Sequence, residues 1–198
     1  MMGLTEHRQL ALAIALLERG TRVSIVRHLT DLPRMVVRRM YHEVHGVAPG
    51  SGQLPTTARV MSTRARQVQA SLWACLYVDE LGPDRERALD PLALILAHDL
   101  YLEVARGQGL RPTLDLNAAW VVARDLHAGL AGLRPCARCQ IAYLVCAEPR
   151  VPPTCPLCAL RARALRGARA REAVRLVEAS GLLRAPEGLP SPPAASDS

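Results

Sequence analysis

Phenylalanine and lysine are both absent from the 198 residues, and asparagine occurs once, at Asn117. Those gaps look like GC-rich coding and carry no functional reading. No run of about 18 or more apolar residues is present, which excludes a membrane-spanning helix. A secretory leader is not expected either, because Glu6, His7, Arg8 and Glu18 interrupt the first apolar stretch at helical intervals. The sequence points to a cytoplasmic protein. What is present fits a folded chain: 49% hydrophobic and 22% charged residues exclude a disordered one. The length suits one ordinary domain or two small ones.

All 25 basic residues are arginine, set against 18 acids for a net charge of +7. The balance is uneven along the chain. Residues 1–60 carry eight Arg and four acids, and residues 61–133 carry seven Arg and nine acids. Residues 134–184 carry ten Arg and three acids, and residues 185–198 only two acids. Two basic ends therefore flank a slightly acidic middle. That pattern suits ends that meet a polyanion and a centre that packs or pairs with protein, although a generally basic surface also accounts for it.

Helical periodicity dominates and strand signals are almost absent. Leu10, Ala13, Ile14 and Leu17 recur on one helical face, with Gly20 placed to cap the end. Further helices are predicted over Thr21–Leu29 and Pro33–His45, followed by a Gly/Pro-rich loop over 46–55. Ala65, Val68, Leu72 and Leu76 mark the next helix, which stops at Gly82-Pro83. Leu89, Leu92, Leu96 and Leu100 mark another, ending near Gly107. Asp115 is a natural N-cap for a helix aligning Leu116, Ala119, Trp120, Ala123, Leu126 and Leu130. Residues 134–158 break this regime, Ala159–Ser180 can be helical again, and 185–198 reads as disordered. Trp73, Trp120 and Cys75 are expected in the core.

Two C-x-x-C pairs, Cys136/Cys139 and Cys155/Cys158, stand fifteen residues apart. Two residues between cysteines allow a tight turn that aims both sulfurs at one point. Two such knuckles supply the tetrahedral sulfur set that Zn²⁺ prefers. The short stretch Ile141–Val145 offers a strand for a hairpin joining them. With four protein ligands no position remains for water, so the site is structural. Iron in a rubredoxin-like site takes the same ligands, and unliganded thiols are the remaining reading. Cys146 lacks a partner at this spacing and is read as packing.

Thr21–Tyr41 has the grammar of a helix-turn-helix. Val23, Ile25, Val26 and Leu29 form one apolar face; Val36, Val37 and Met40 form the other, with Leu32 as a plug between the helices. The turn needs a residue that tolerates positive φ, and Asp31 fills that place. Pro33 suits the start of the second helix. Arg34, Arg38 and Arg39 lie on that helix, and such residues either fork onto guanine from a major groove or hold phosphate. His28, His42 and His45 are read as surface or groove-facing. After the cysteines, Arg161, Arg163, Arg166, Arg169, Arg171 and Arg175 point all around a helix, which favours phosphate binding over docking on an apolar face. A solvated charge run is the alternative.

Several stretches in this order resemble the FlhC family of bacterial flagellar transcriptional regulators. They are Arg19-Gly-Thr-Arg22, Thr30-Asp-Leu-Pro-Arg34, Met40-Tyr-His-Glu-Val-His-Gly46, Gly52-Gln-Leu-Pro55, Ala118-Ala-Trp-Val-Val-Ala-Arg124 and the four paired cysteines. This chain differs from the family pattern in a spacer one residue shorter between the pairs, in Gln140 where glycine is usual, and in its arginine-only tail. The resemblance implies an all-helical body with one Zn²⁺ per chain on Cys136, Cys139, Cys155 and Cys158. It also implies promoter DNA binding as a hetero-oligomer with FlhD and recruitment of RNA polymerase holoenzyme to flagellar class II genes.

The expected fold is mainly α, with a helix-turn-helix-like part over 1–50 and a helical, partner-binding body over 51–133. A zinc-ribbon-like module over 134–160, a basic helix over 161–184 and a tail over 185–198 complete it. A protein-interaction adaptor that contacts polymerase or a regulator without touching DNA is the competing function. An enzyme is not expected: the six His are scattered and no phosphate-cradling glycine loop occurs.

Overall fold

The computed structural model describes residues 3–82 and 89–164. The expected basic helix beyond Ala164, the tail and the Pro83 stop lie outside the described residues. The order is α1 (Leu4–Glu18), α2 (Val23–Thr30), α3 (Arg34–His45), α4 (Thr57–Val60), α5 (Arg64–Leu81), α6 (Pro91–Gly107) and α7 (Leu116–His127). Strands β1 (Ala131–Pro135) and β2 (Ala142–Cys146) follow, and then α8 (Pro156–Ala164). The mainly helical class with a small cysteine module is what the sequence indicates.

Local chemistry sets the boundaries. Gly20, at φ +73°, closes α1 with its N–H on the Leu17 carbonyl, while Thr21 N–H reaches back to Leu16. Asp31 ends α2 in the left-handed region at φ +54°, and α3 opens directly after Pro33. Asp115 caps α7 by accepting the Ala118 N–H at 2.7 Å. Asp90 caps α6 in the same way, with Pro91 at its first position.

Helices α1, α2 and α3 pack on one another, burying Ala13, Leu16, Leu17, Ile25, Val26 and Val37. The centre of the molecule is α5, which is buried at Gln67 and Val68 and without a break from Ala70 to Tyr77, and which meets α6, α7, β2 and α8. Trp73 and Tyr77 stack at 5.1 Å between ring centroids inside it. The two groups are joined by Arg19 on Asp99 (2.6 Å) and by Asn117. Asn117 accepts the Arg22 N–H and donates to the Gly20 carbonyl. Cys75, Trp73 and Trp120 are buried, as the sequence indicates.

Several expectations about faces need correction. On α6, Leu92 and Leu96 are 61% and 55% exposed. The buried side is instead Ala93, Leu94, Ala97, His98 and Tyr101. Small alanines bring this face close to its neighbours, whereas the apolar periodicity alone does not choose between two greasy sides. Ile14 and Val36 are likewise on the outside, with Leu16 and Val37 inside in their place. Leu130 lies beyond the end of α7 and is exposed. Ala65, at the start of α5, is exposed too.

Candidate metal centre and basic face

β1 and β2 pair antiparallel with Leu133 opposite Leu144 and Pro135 opposite Ala142. The hairpin therefore carries the first cysteine pair in its turn; it does not join the two pairs, as the sequence suggested. Its first strand lies before the cysteines, where Ala131-Gly-Leu133 has too little β-branched character to read as strand. In the turn, Gln140 N–H donates to the Cys136 carbonyl at 2.8 Å and Cys136 N–H to the Ile141 carbonyl at 3.0 Å. The turn closes only with Gln140 in the left-handed region, at φ +58°. Glycine enters that region without the steric cost that a side chain carries.

The second pair lies at a helix start. Cys155 precedes α8, Pro156 is its first residue, and Cys158 falls in the first turn. Its oriented N–H groups carry partial positive charge toward the sulfurs. The four sulfurs lie within 4.8 Å of one another, with Cys136–Cys158 at 3.8 Å and Cys139–Cys155 at 3.7 Å. A disulfide needs about 2.05 Å, so none is formed. A tetrahedron with metal–sulfur bonds of about 2.3 Å has edges of about 3.8 Å. The observed spacings fit that figure, and the donor set is that of a closed, four-coordinate site. Cys146 stays outside it, in β2.

Protonation follows the same asymmetry. Burial raises the Cys136 thiol, but the backbone N–H groups of Cys139 and Arg138 outweigh it and bring the group down to about 7. Burial pushes Cys155 up to about 12 despite N–H groups from Cys158 and Leu157, and burial also raises Cys158. One thiol is thus poised to ionise, while others wait for a cation to displace their protons. Cys136 and Cys155 are buried; Cys139 and Cys158 are half-buried and face a hollow of about 350 Å³ lined by Arg138 and Arg161.

Helix α5 fastens both halves of the centre. Arg64 donates to the Thr154 carbonyl and to Thr154 Oγ1, both at 2.7 Å, and to Gln67 Oε1 at 3.0 Å. Gln67 Nε2 donates to the Leu144 carbonyl at 3.0 Å, and Ser71 Oγ accepts the Leu144 N–H at 2.9 Å. These side chains satisfy the edge of β2 that faces away from β1. Burial lowers the Arg64 guanidinium, an effect opposed by the charge of Cys155. Arg64, Gln67 and Ser71 escape a motif reading, yet polar residues spaced three and four apart on one helix face are a signal of such a bond.

The basic residues fall into separate groups. Arg34 and Arg38 line a hollow of about 400 Å³ together with Arg22, Arg27 and the loop 49–52. Arg39 is turned elsewhere and bonds Glu43 at 3.0 Å. Arg161 and Arg163 are exposed on α8, Arg161 beside the sulfurs. Arg166 and Arg169 lie outside the described residues. His28 and His42 are exposed, but His45 is half-buried with Nε2 2.9 Å from the Leu17 carbonyl, so it ties α3 to α1.

The family model for the flagellar transcriptional activator FlhC matches residues 3–171. The chain belongs to the FlhC family. Its relatives include the flagellar transcriptional regulator FlhC of Paraburkholderia phymatum, 37% identical over 65% of this chain and 58% of that protein. The regulator of the same name from Paraburkholderia atlantica is 31% identical over 80% of this chain and 73% of its own length. That from Thauera aminoaromatica is 31% identical over 77% of each. FlhC proteins are transcriptional regulators rather than enzymes, and as an FlhC-family member the chain is a transcriptional activator of flagellar genes. No helix among the described residues is long and apolar enough to cross a membrane.

Proposed function

We propose that this FlhC-family chain is the DNA-contacting subunit of a cytoplasmic activator complex that it forms with an FlhD-type partner. The complex binds flagellar promoters and brings RNA polymerase holoenzyme to them. The observation that carries this reading is the α2–turn–α3 unit. Its turn is set by Asp31, and its second helix presents Arg34, Arg38 and Arg39 to solvent. The basic segment that α8 begins, with Arg161, Arg163, Arg166 and Arg169, supplies a second set of phosphate contacts. Partner binding falls to the acidic middle of the chain, residues 61–133.

Cys136, Cys139, Cys155 and Cys158 hold one Zn²⁺ in this reading. When bound, the ion supplies charge neutralisation and a fixed tetrahedral anchor, not reaction chemistry. The chain's own residues do the rest: α5 positions both knuckles through Arg64, Gln67 and Ser71, and the centre fixes where α8 starts. Co-expression with an FlhD-type partner, followed by size analysis, metal assay and a salt-titrated promoter shift, tests it. The expected result is a colourless hetero-oligomer with one zinc per FlhC-type chain and promoter binding that weakens steeply with salt. A metal-free complex that binds its promoter fully would overturn the zinc assignment, and a zinc-loaded complex that ignores DNA would overturn the function.

A further inference from the structure

The hollow between α2, α3 and the loop 49–52 has a chemistry of its own. Arg22, Arg27, Arg34 and Arg38 line it with Ser24, Ser51, Gly50 and Gly52, and no acidic residue does. Among the described residues, Arg27, Arg34 and Arg38 have no carboxylate partner, in contrast to Arg19 with Asp99 and Arg39 with Glu43. Four like charges around about 400 Å³ repel one another, a cost that a bound anion relieves. The wall is also built to stay open. Arg22 Nη1 donates to the Gly52 carbonyl at 2.7 Å and its backbone N–H to Asn117 at 2.8 Å, so Arg22 staples the loop against α7. Gly52 sits at φ +134°, where a side chain is strained, and its Cβ position is 4.0 Å from Arg22 Nη1.

We infer that this hollow is a seat for the sugar-phosphate backbone of DNA, in which Arg27, Arg34 and Arg38 hold phosphate rather than read bases. The inference rests on the DNA-binding reading above and narrows it. Three guanidiniums from two helices converge on one concave spot, with small residues allowing close approach of a backbone. A base-reading helix instead projects its side chains outward from a convex edge. On this account α2 and the stapled loop set the register of the protein on the duplex, and sequence discrimination comes from elsewhere in the complex.

The test uses the full complex with its FlhD-type partner, carrying Arg27→Gln with Arg38→Gln or, as a charge-keeping control, Arg27→Lys with Arg38→Lys. Helical signal, zinc content and complex size are checked first. Binding to a flagellar promoter and to unrelated duplex DNA is then measured between low and moderate salt. The Gln variant should bind both DNAs about tenfold or more weakly per residue and by the same factor. Its slope of log affinity against log salt should be shallower by about 2, while the Lys variant keeps the wild-type slope. An unchanged slope, or a loss confined to the promoter, would overturn the inference and make these arginines base readers or bystanders. Failure of the Gln variant to assemble, with the Lys variant assembling, would make the hollow a partner seat and overturn it too. If the wild-type complex binds neither DNA, it is the underlying functional reading that fails.

Discussion

Replacing Ser71 with alanine tests how the metal centre is joined to the helical body. Ser71 is 1% exposed, and its hydroxyl accepts the Leu144 N–H at 2.9 Å while donating to the Gln67 carbonyl at 2.6 Å. The carbonyl belongs to the helix ladder and keeps its main-chain partner, so its loss is small. The N–H is different: Leu144 is fully buried and on the side of β2 away from β1, leaving that donor with nothing to replace the hydroxyl. An orphaned buried donor costs about 1–3 kcal/mol. For a chain of this size, about 2 kcal/mol lowers Tm by roughly 4–8 °C. Thermal melting of the zinc-loaded protein measures it, with Ser62→Ala as control because the Ser62 hydroxyl accepts from Arg66 at 3.4 Å on the surface. If the Ser71 and Ser62 variants melt within about 1 °C of each other, the bond from α5 to the hairpin is not what fixes that strand.

Other consequences are equally open to measurement. Because Leu144, Tyr143, Leu157 and Leu160 belong to the same core as Trp73 and Val121, removing metal with a chelator should lower the melting of the whole body in one calorimetric transition; two separate transitions would refute the shared core. Gln140→Gly should stabilise the zinc-loaded form by about 0.5–1 kcal/mol, since glycine relieves the left-handed strain of about 1–2 kcal/mol at some entropic cost, and an unchanged or lower denaturation midpoint contradicts this. Burial lowers the pKa of His98, against a partly compensating bond to the Leu114 carbonyl. Its folded pKa is thus below the unfolded value of about 6.5, so stability present above that pH is lost as pH falls, by up to about 1.4 kcal/mol per unit. His98→Gln, which keeps a donor for Leu114, should remove that part of the acid sensitivity; parallel stability–pH curves for the two proteins would refute it.

The ends of elements and the clustering of four sulfurs were legible because local chemistry dictates them. Gly20, Asp31 and Asp115 act through their own backbone or the next turn, and two C-x-x-C pairs announce a common point in space. Faces were less legible. Around α6 both sides are apolar, so the leucine spacing chose Leu92 and Leu96 while the close packing of Ala93 and Ala97 chose the other side. The partner of β2 was hidden because Ala131–Pro135 has strand geometry imposed by pairing, not by propensity. Of the basic residues, Arg34 and Arg38 could be found on the second helix, but Arg22 and Arg27 join them only through the approach of the loop 49–52, a tertiary event. Arg64 stands ninety positions before its partner Thr154, beyond the reach of any spacing rule.

The uneven depth of the four sulfurs gives the centre a front and a back. Cys136 and Cys155 are sealed by the core, whereas Cys139 and Cys158 open on the hollow beside Arg138 and Arg161. Oxidants and thiophilic ions therefore meet the outer sulfurs first, and anionic reagents are drawn there by the two guanidiniums. Dismantling would start at the outer sulfurs, leaving the inner pair as a foothold from which a displaced ion can be recaptured.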